Sequence, residues 1–246
     1  MSGFSCDLHI HSTLSPCASL EMSPKNIALK AKDVGLDIIA ITDHNMTENS
    51  IYAHEIGRKI GLAVLFGMEL QTQEEIHLLA IFDDYNTAMK LQKKVYSLLP
   101  HIKNDVNYFG DQVVVDENDE ILRFEDRLLL NSSQISIEDA VAWIKAHGGI
   151  AIPSHIDSTT FSIISQLGFI PDNIPFDALE IRNRDHIPDM LPFIMKKDIT
   201  FVTFSDAHYL NDIGKKRTVL SIQEPRCIEI ESALKLMANS NYNAYL

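Results

Sequence analysis

The stretch DLHIHS (residues 7–12) closes a short apolar run and sets two imidazoles one residue apart. In an extended strand residues i and i+2 share a face, so His9 and His11 project the same way, close enough to grip one ion. Histidine is also the commonest metal ligand. The pair therefore turns attention to every other ligand-competent group that ends a strand.

Apolar runs bounded by turn signals recur along the chain with amphipathic stretches between them, the alternation of βα units. The candidate strands are FSCDLHI, LDIIAIT, LAVLFGMEL, EIHLLAIF, GGIAIPS, FDALEI and DITFVTFS. The clearest helix is SPKNIALKAKDVG (residues 23–35), with a serine cap, proline at the first helical position and a closing glycine. Further helices are expected over residues 47–60, 87–99, 136–147, 159–167, 188–197 and 229–238. Periodicity fails over residues 100–133, where VVVDENDEIL reads as a hairpin turning at Asp116 to Asp119. That segment is expected to be a lid or insertion in a single domain spanning 1–246.

Most of the His, Asp and Glu residues of interest fall at strand ends. His9 and His11 end the first strand, Asp43 and His44 the second, Glu69 the third, His155 the fifth, and Asp206 with His208 the seventh. His77 stands at the start of HLLAIF and so needs a reversed strand or a turn to join them. Taken singly, Asp43 reads as a helix cap and His155 as a turn residue. Glu69 is harder to dismiss, because a carboxylate inside an apolar strand is costly to desolvate without a cation beside it. In parallel barrels the C-terminal ends of the strands are where catalytic groups converge. His54, His101, His147 and His186 have no partner at ligand spacing and read as ordinary surface or capping residues.

Composition narrows the classes. At 46% hydrophobic over 246 residues the chain can bury a large core. Neither a leader nor a membrane-length apolar run is seen, so the cytoplasm is expected. Three cysteines argue against a disulfide framework. A formal charge of -13 is the opposite of the basic footprint that follows a phosphate backbone, and on that ground extended duplex nucleic acid is expected to be excluded; without a membrane-length run no membrane partner is expected either.

In this order, DLHIHS, GLDIIAITDHN, GMEL with the downstream HLLAIF, the Gly-Gly strand leading to His155, and FSDAH resemble the PHP (polymerase and histidinol phosphatase) family of metal-dependent phosphoesterases, over residues 7 to about 217. The resemblance implies an α/β fold, a distorted seven-stranded (β/α)7 TIM-like barrel, with two or three divalent ions (zinc, manganese or iron) at its mouth. It implies that His9, His11, Glu69 and Asp206 hold one ion and Glu69, His77 and His155 a second, with Glu69 bridging. The third would take His44, His208 and a residue from the loop after the histidine pair. That loop reads STLSPCAS here, without the family's more usual Asp or His, and Cys17 stands at about the right offset. A thiolate there would favour zinc or iron over magnesium. Many relatives follow the equivalent of His155 with Pro, whereas this chain has Ile156.

The implied chemistry is hydrolysis of a phosphoester of a small molecule, a nucleotide or a short oligonucleotide end by metal-activated water. Glu69 and Asp206 would be central to it, with Asp43 orienting a ligand or donating a proton. Arg182, Asn183 and Arg184 after the sixth strand, and Arg127 from the insertion, are candidate phosphate contacts, since guanidinium forks suit phosphate geometry. Two rivals remain. A metal-dependent amidohydrolase would usually bridge its ions with a modified strand-end Lys, where this chain offers Glu69, and a non-catalytic metal-binding module would usually close one ion with four ligands. Oligomeric state is open.

Overall fold

The computed structural model describes residues 3–195 and 198–241. Its main sheet holds six strands: β1 (Gly3–Ile10), β2 (Ile38–Ile41), β3 (Ala63–Gln71), β4 (His77–Phe82), β7 (Ile150–Pro153) and β10 (Thr218–Ser221), in the order β10-β1-β2-β3-β4-β7. β1, β2 and β3 run parallel, with Cys6 opposite Ile38 and Ile38 opposite Ala63. These strands are buried along most of their length, which is why they read as nearly unbroken apolar runs.

The reversed strand needed for His77 is present. A tight turn brings β4 back antiparallel to β3, placing Gln71 opposite His77, because so short a connection cannot make a parallel crossover. β7 is antiparallel to β4, and β10 is antiparallel to the first half of β1. β8 (Leu179–Glu180) and β9 (Phe201–Val202) form a separate parallel pair. A few backbone hydrogen bonds tie this pair and its flanking residues to the main sheet: Asp177 N to Ala151 O and Ile156 N to Glu180 O on one side, Ala207 N to His9 O and His11 N to Ala207 O on the other. The result is an α/β fold with a curled, open sheet, and its pairing differs from seven continuous barrel strands. β10 was not foreseen; TVLS is a four-residue edge strand with only alternate residues buried, a weak signal.

The helices pack on this sheet. α1 (Pro24–Asp33), capped by Ser23, and α2 (Ser50–Ile60) cover Ile39, Ile41 and Val64. α3 (Tyr85–Leu98) and α5 (Ile137–Ala146) pack with Phe66, Leu78 and Ala80. α8 (Cys227–Asn241) sends Ile230 and Leu234 into a cluster with Cys6 and Ile38, near the starting ends of β1 and β2. The other ends of those strands are left for polar groups.

Two expected helices are shorter. α6 (Ile163–Leu167) starts only after the Ser162 capping box. In the region 188–197, α7 (Ile187–Met190) gives way to a 3₁₀ turn at Leu191–Phe193, as Pro192 has no backbone N–H to continue the α-helical bonding. Residues 196–197 of that expectation lie outside the described residues.

Residues 100–133 contain α4 (Val106–Phe109) and the hairpin of β5 (Val113–Val115) and β6 (Ile121–Phe124). β5 is bolted to the loop after β1: Val113 N donates to Thr13 O, Thr13 Oγ1 donates to Val113 O, and Asn49 Nδ2 donates to both Thr13 Oγ1 and Val113 O.

Candidate metal centre

The strand ends converge on Glu69, which is 1% exposed. Its Oε1 lies 3.3 Å from His9 Nε2, 3.1 Å from His77 Nδ1 and 3.3 Å from His155 Nε2. Its Oε2 lies 3.4 Å from His11 Nε2 and 3.2 Å from His44 Nδ1. Asp206 Oδ1 is 3.4 Å from both His9 Nε2 and His11 Nε2. Among the described residues three groups bring their ligand atoms within 4.8 Å of one another: His9, His11 and Asp206; His44, Glu69 and His77; and His11, His44 and His208.

Two relays fix the imidazole tautomers. A carboxylate only accepts, so Glu180, 3.0 Å from His9 Nδ1, places the His9 proton there and turns the Nε2 lone pair toward Glu69. Ser15 Oγ donates to Asp43 Oδ1 at 2.7 Å and so accepts from His11 Nδ1 at 2.9 Å, turning His11 Nε2 the same way. The two Nε2 atoms then stand 3.2 Å apart, where both can face one cation or, while His9 is charged, its Nε2–H can donate to His11.

The backbone is held as tightly. His155 (φ 32) and Asp206 (φ 52) both sit in the left-handed region, which a non-glycine residue keeps only when its surroundings impose it. Glu180 also accepts from His155 N. Asp7, buried, accepts from Ser205 N and Gly214 N, clasping both ends of the loop that carries Asp206 and His208. Burial pushes the Asp7 carboxyl up to about 6 against those hydrogen bonds.

Electrostatics divide the imidazoles. Burial, then the charge of His208, pushes His11 down to about 4, and burial with His11 nearby holds His44 well below its ordinary value, so both stay neutral and suited to coordination. Burial opposes charge on His9, but Glu180, Glu69 and Asp206 together hold its pKa well above normal. Glu69 and Asp206 stay ionised despite burial, Glu69 through His77 and His9, Asp206 chiefly through His9.

A divalent cation fits these residues. Glu69 Oε1, His44 Nδ1, His77 Nδ1 and His155 Nδ1 are buried without a hydrogen-bond partner, a cost that a bound ion would remove for those atoms facing it. Ligands about 2.0–2.2 Å from one ion stand about 3.0–3.5 Å apart, the spacing of the contacts around Glu69.

The other candidates are placed differently. His44 falls both with His11 and His208 and with Glu69 and His77, where its Nδ1 is 3.2 Å from Glu69 Oε2. Cys17 belongs to none of the three groups among the described residues; its thiol is pushed up to about 12 by burial and by Glu69. Asp43 takes three donors, Ser12 N, Ser12 Oγ and Ser15 Oγ, so it acts as an anchor. The Arg127 guanidinium is committed to Tyr96 O, Leu99 O and His101 Nδ1 and lies over the Tyr96 ring. Arg182, Asn183 and Arg184 are exposed, and the amides of Arg182 and Asn183 donate to Asp157, two residues past His155.

Glu180 was missed by sequence reasoning, although its signal was there: like Glu69 it is a carboxylate in an apolar strand, FDALEI, and it is 2% exposed. Ser15 carries no sequence signal.

The PHP domain model matches residues 7–140, more than half of the chain. The chain belongs to the PHP domain family. Among solved structures the PHP fold here is shared with the lesion-specific endonuclease Q of Pyrococcus furiosus (TM-score 0.69, 18% identity, 95% of this chain and 56% of that one). It is also shared with a candidate metal-dependent phosphoesterase of Bifidobacterium adolescentis (TM-score 0.60, 17% identity, 87% and 92%) and an amidohydrolase of Chromobacterium violaceum (TM-score 0.59, 17% identity, 93% and 96%). An uncharacterized protein of Methanocaldococcus jannaschii is 34% identical over 77 residues, 28% of this chain and 44% of that protein. This PHP chain thus matches less than half of that relative and little more than half of the endonuclease.

One expectation is overturned. Endonuclease Q has been solved with a 27-mer duplex carrying an abasic lesion at the active site, and this chain shares that fold (TM-score 0.65, 18% identity, 95% and 57%). The charge of -13 therefore does not exclude duplex DNA. Part of that charge is internal: Asp7, Asp43, Glu69 and Glu180 are buried in or beside the histidine cluster, held by imidazoles, amides and hydroxyls, so the net sum does not describe the face a phosphate meets. Among the described residues no helix is long and apolar enough to cross a membrane.

Proposed function

We propose that the chain is a metal-dependent phosphoesterase that hydrolyses phosphoesters of small molecules, nucleotides or nucleic-acid ends. The observation that carries this reading is Glu69, a buried carboxylate within 3.4 Å of five imidazoles, with its Oε1 lacking any hydrogen bond. His9, His11, Glu69 and Asp206 would hold one divalent ion, and Glu69, His77 and His155 a second. His44 and His208 would contribute to a third, and Cys17 falls in no group with them among the described residues. Zinc, manganese or iron bound there would acidify a water and neutralise phosphoryl charge.

The chain's own groups supply the rest. Glu69 presents one oxygen to each half of the cluster, Glu180 and the Asp43–Ser15 relay keep the Nε2 lone pairs of His9 and His11 pointed inward, and Asp7 holds the Asp206 loop. Arg182, Asn183 and Arg184, exposed beside Asp157, are the groups offered to a substrate phosphate. The same reading takes the main sheet and the β8–β9 pair as one distorted barrel. A carboxylate at the centre of the cluster favours this reading over the amidohydrolase one.

The test is turnover. Protein supplied with manganese, then with zinc, is assayed for release of phosphate or nucleotide from an aryl phosphate, nucleoside monophosphates and single- and double-stranded oligonucleotides, and Glu69→Gln is expected to abolish it. Metal bound stoichiometrically with no turnover on any of these substrates would instead indicate a metal-binding module.

A further inference from the structure

Phe161 lies in the loop between β7 and α6, and its ring is parallel to the imidazole of His77 within 5°, the centroids 4.8 Å apart. Its carbonyl accepts the His77 backbone N–H at 2.9 Å, so both backbone and ring are tied to that residue. Yet the residue is 38% exposed. One face of the ring is covered by His77, and part of the side chain is open to solvent.

The loop is built to hold it there. Ser158 N donates to His155 O, Ser162 Oγ donates to Ser158 O, and Ser162 caps α6 through its reciprocal bonds with Ser165. Phe161 itself has φ 56, a conformation that a bulky side chain rarely adopts. An aromatic serving only to fill space would turn into the apolar interior, where Ile156 and Ile163 of the same stretch are buried. Phe161 is instead kept, against its backbone preference, one ring beyond an imidazole whose Nδ1 is 3.1 Å from Glu69.

We propose that the outward face of Phe161 is a stacking platform for a planar ring of the substrate. The site then selects phosphoesters whose alcohol carries a purine, pyrimidine or aryl ring over those of plain sugars and polyols. This rests on the phosphoesterase reading and adds the substrate class to it. Stacking suits the geometry because it needs only an accessible π face and tolerates any base, while the phosphate is fixed by the groups around Glu69.

The experiment compares a non-hydrolysable phosphonate analogue of AMP with the matching ribose phosphonate that lacks the base, both titrated into zinc-loaded protein. The wild-type chain should bind the adenine compound at least about tenfold more tightly, with upfield shifts of the adenine H2 and H8 resonances. Phe161→Ala and Phe161→Leu should both remove that preference, and Phe161→Trp should keep it. The ratio between the two ligands is the readout, since a ring that merely steadies His77 would weaken both alike and leave their ratio unchanged. Equal affinities in the wild type, or a preference that survives Phe161→Leu, would overturn the proposal. A base preference accompanied by no turnover of any phosphoester would support the platform while refuting the phosphoesterase reading.

Discussion

Glu180 Oε2 lies 3.0 Å from His9 Nδ1, and the same oxygen accepts the backbone N–H of His155 at 3.1 Å. One carboxylate on β8 therefore orients the first imidazole of the cluster and fixes the strained backbone of another. Partners of this kind typically tune metal affinity by one to two orders of magnitude. Glu180→Gln retains an acceptor but no longer demands a proton on His9 Nδ1, so zinc affinity should fall about ten- to hundredfold. Competition with a chromophoric chelator measures this, and circular dichroism checks that the variant stays folded. An affinity equal to wild type would show that Glu180 serves only the β7–β8 seam.

Metal removal bears on stability. Without a cation the cluster keeps two buried ionised carboxylates and partnerless buried atoms. Zinc should therefore raise the midpoint of thermal unfolding over protein stripped with chelator. At a free concentration of one hundred times Kd the stabilisation expected from mass action is about 2.7 kcal/mol. Glu69→Gln should lose most of that increment. Scanning calorimetry with and without zinc decides, and a midpoint indifferent to zinc would argue that no ion binds at Glu69.

Much of this site was legible in the sequence because its chemistry leaves residues where a soluble fold does not want them. The i, i+2 spacing of His9 and His11, and Glu69 inside an apolar strand, are costs with no local explanation, and both lead to the centre of the cluster. Helix α1 was readable for the opposite reason, since Ser23, Pro24 and Gly35 satisfy purely local rules. What escaped were features set by distant pairing. β10 exists because Gly3 to Cys6 offer it an edge, α6 is cut short by the loop that holds Phe161, and Ser15 matters only through Asp43 and His11. The error over duplex DNA had another source: a net charge sums over positions, whereas several of the acids counted are buried.

The segment of residues 100–133 should respond to acid before the sheet does. Glu125, 8% exposed, accepts from Tyr96 Oη at 2.8 Å, Arg127 N at 3.0 Å and Arg123 Nη1 at 2.8 Å. Burial opposes its charge, but the Arg127 amide, Arg123 and Tyr96 hold its carboxyl below the ordinary range. A group whose folded pKa is depressed stabilises fully above its unfolded value of about 4.3, and that contribution is lost as pH falls through the folded value. Amide protection over residues 113–127 should therefore decline below about pH 4.3, with Glu125→Gln showing lower protection and a flatter pH profile. Hydrogen exchange read by mass spectrometry is the measurement. Identical profiles for the two proteins would remove Glu125 from the account.

Gly110 ties that segment to the loop bearing Cys17. It closes α4 at φ 98, and a Cβ built there would stand 2.4 Å from Pro16 O, a backbone atom with no flexible side chain to yield. Its carbonyl is also the acceptor for Asn104 Nδ2 at 2.8 Å. Gly110→Ala thus faces two penalties, an unfavourable φ and a steric overlap, and moving either backbone loosens the bonds between Val113 and Thr13. A loss of about 1–3 kcal/mol in urea unfolding is expected, with exchange rising at Thr13 and Val113 together. Gly35→Ala provides the contrast: its φ is 76 but a Cβ there meets nothing within 4 Å, so it carries only the conformational penalty and should cost less. Equal losses for the two variants would mean that the Pro16 contact relaxes at no cost, and the segment would then be joined to the site loop only through β5.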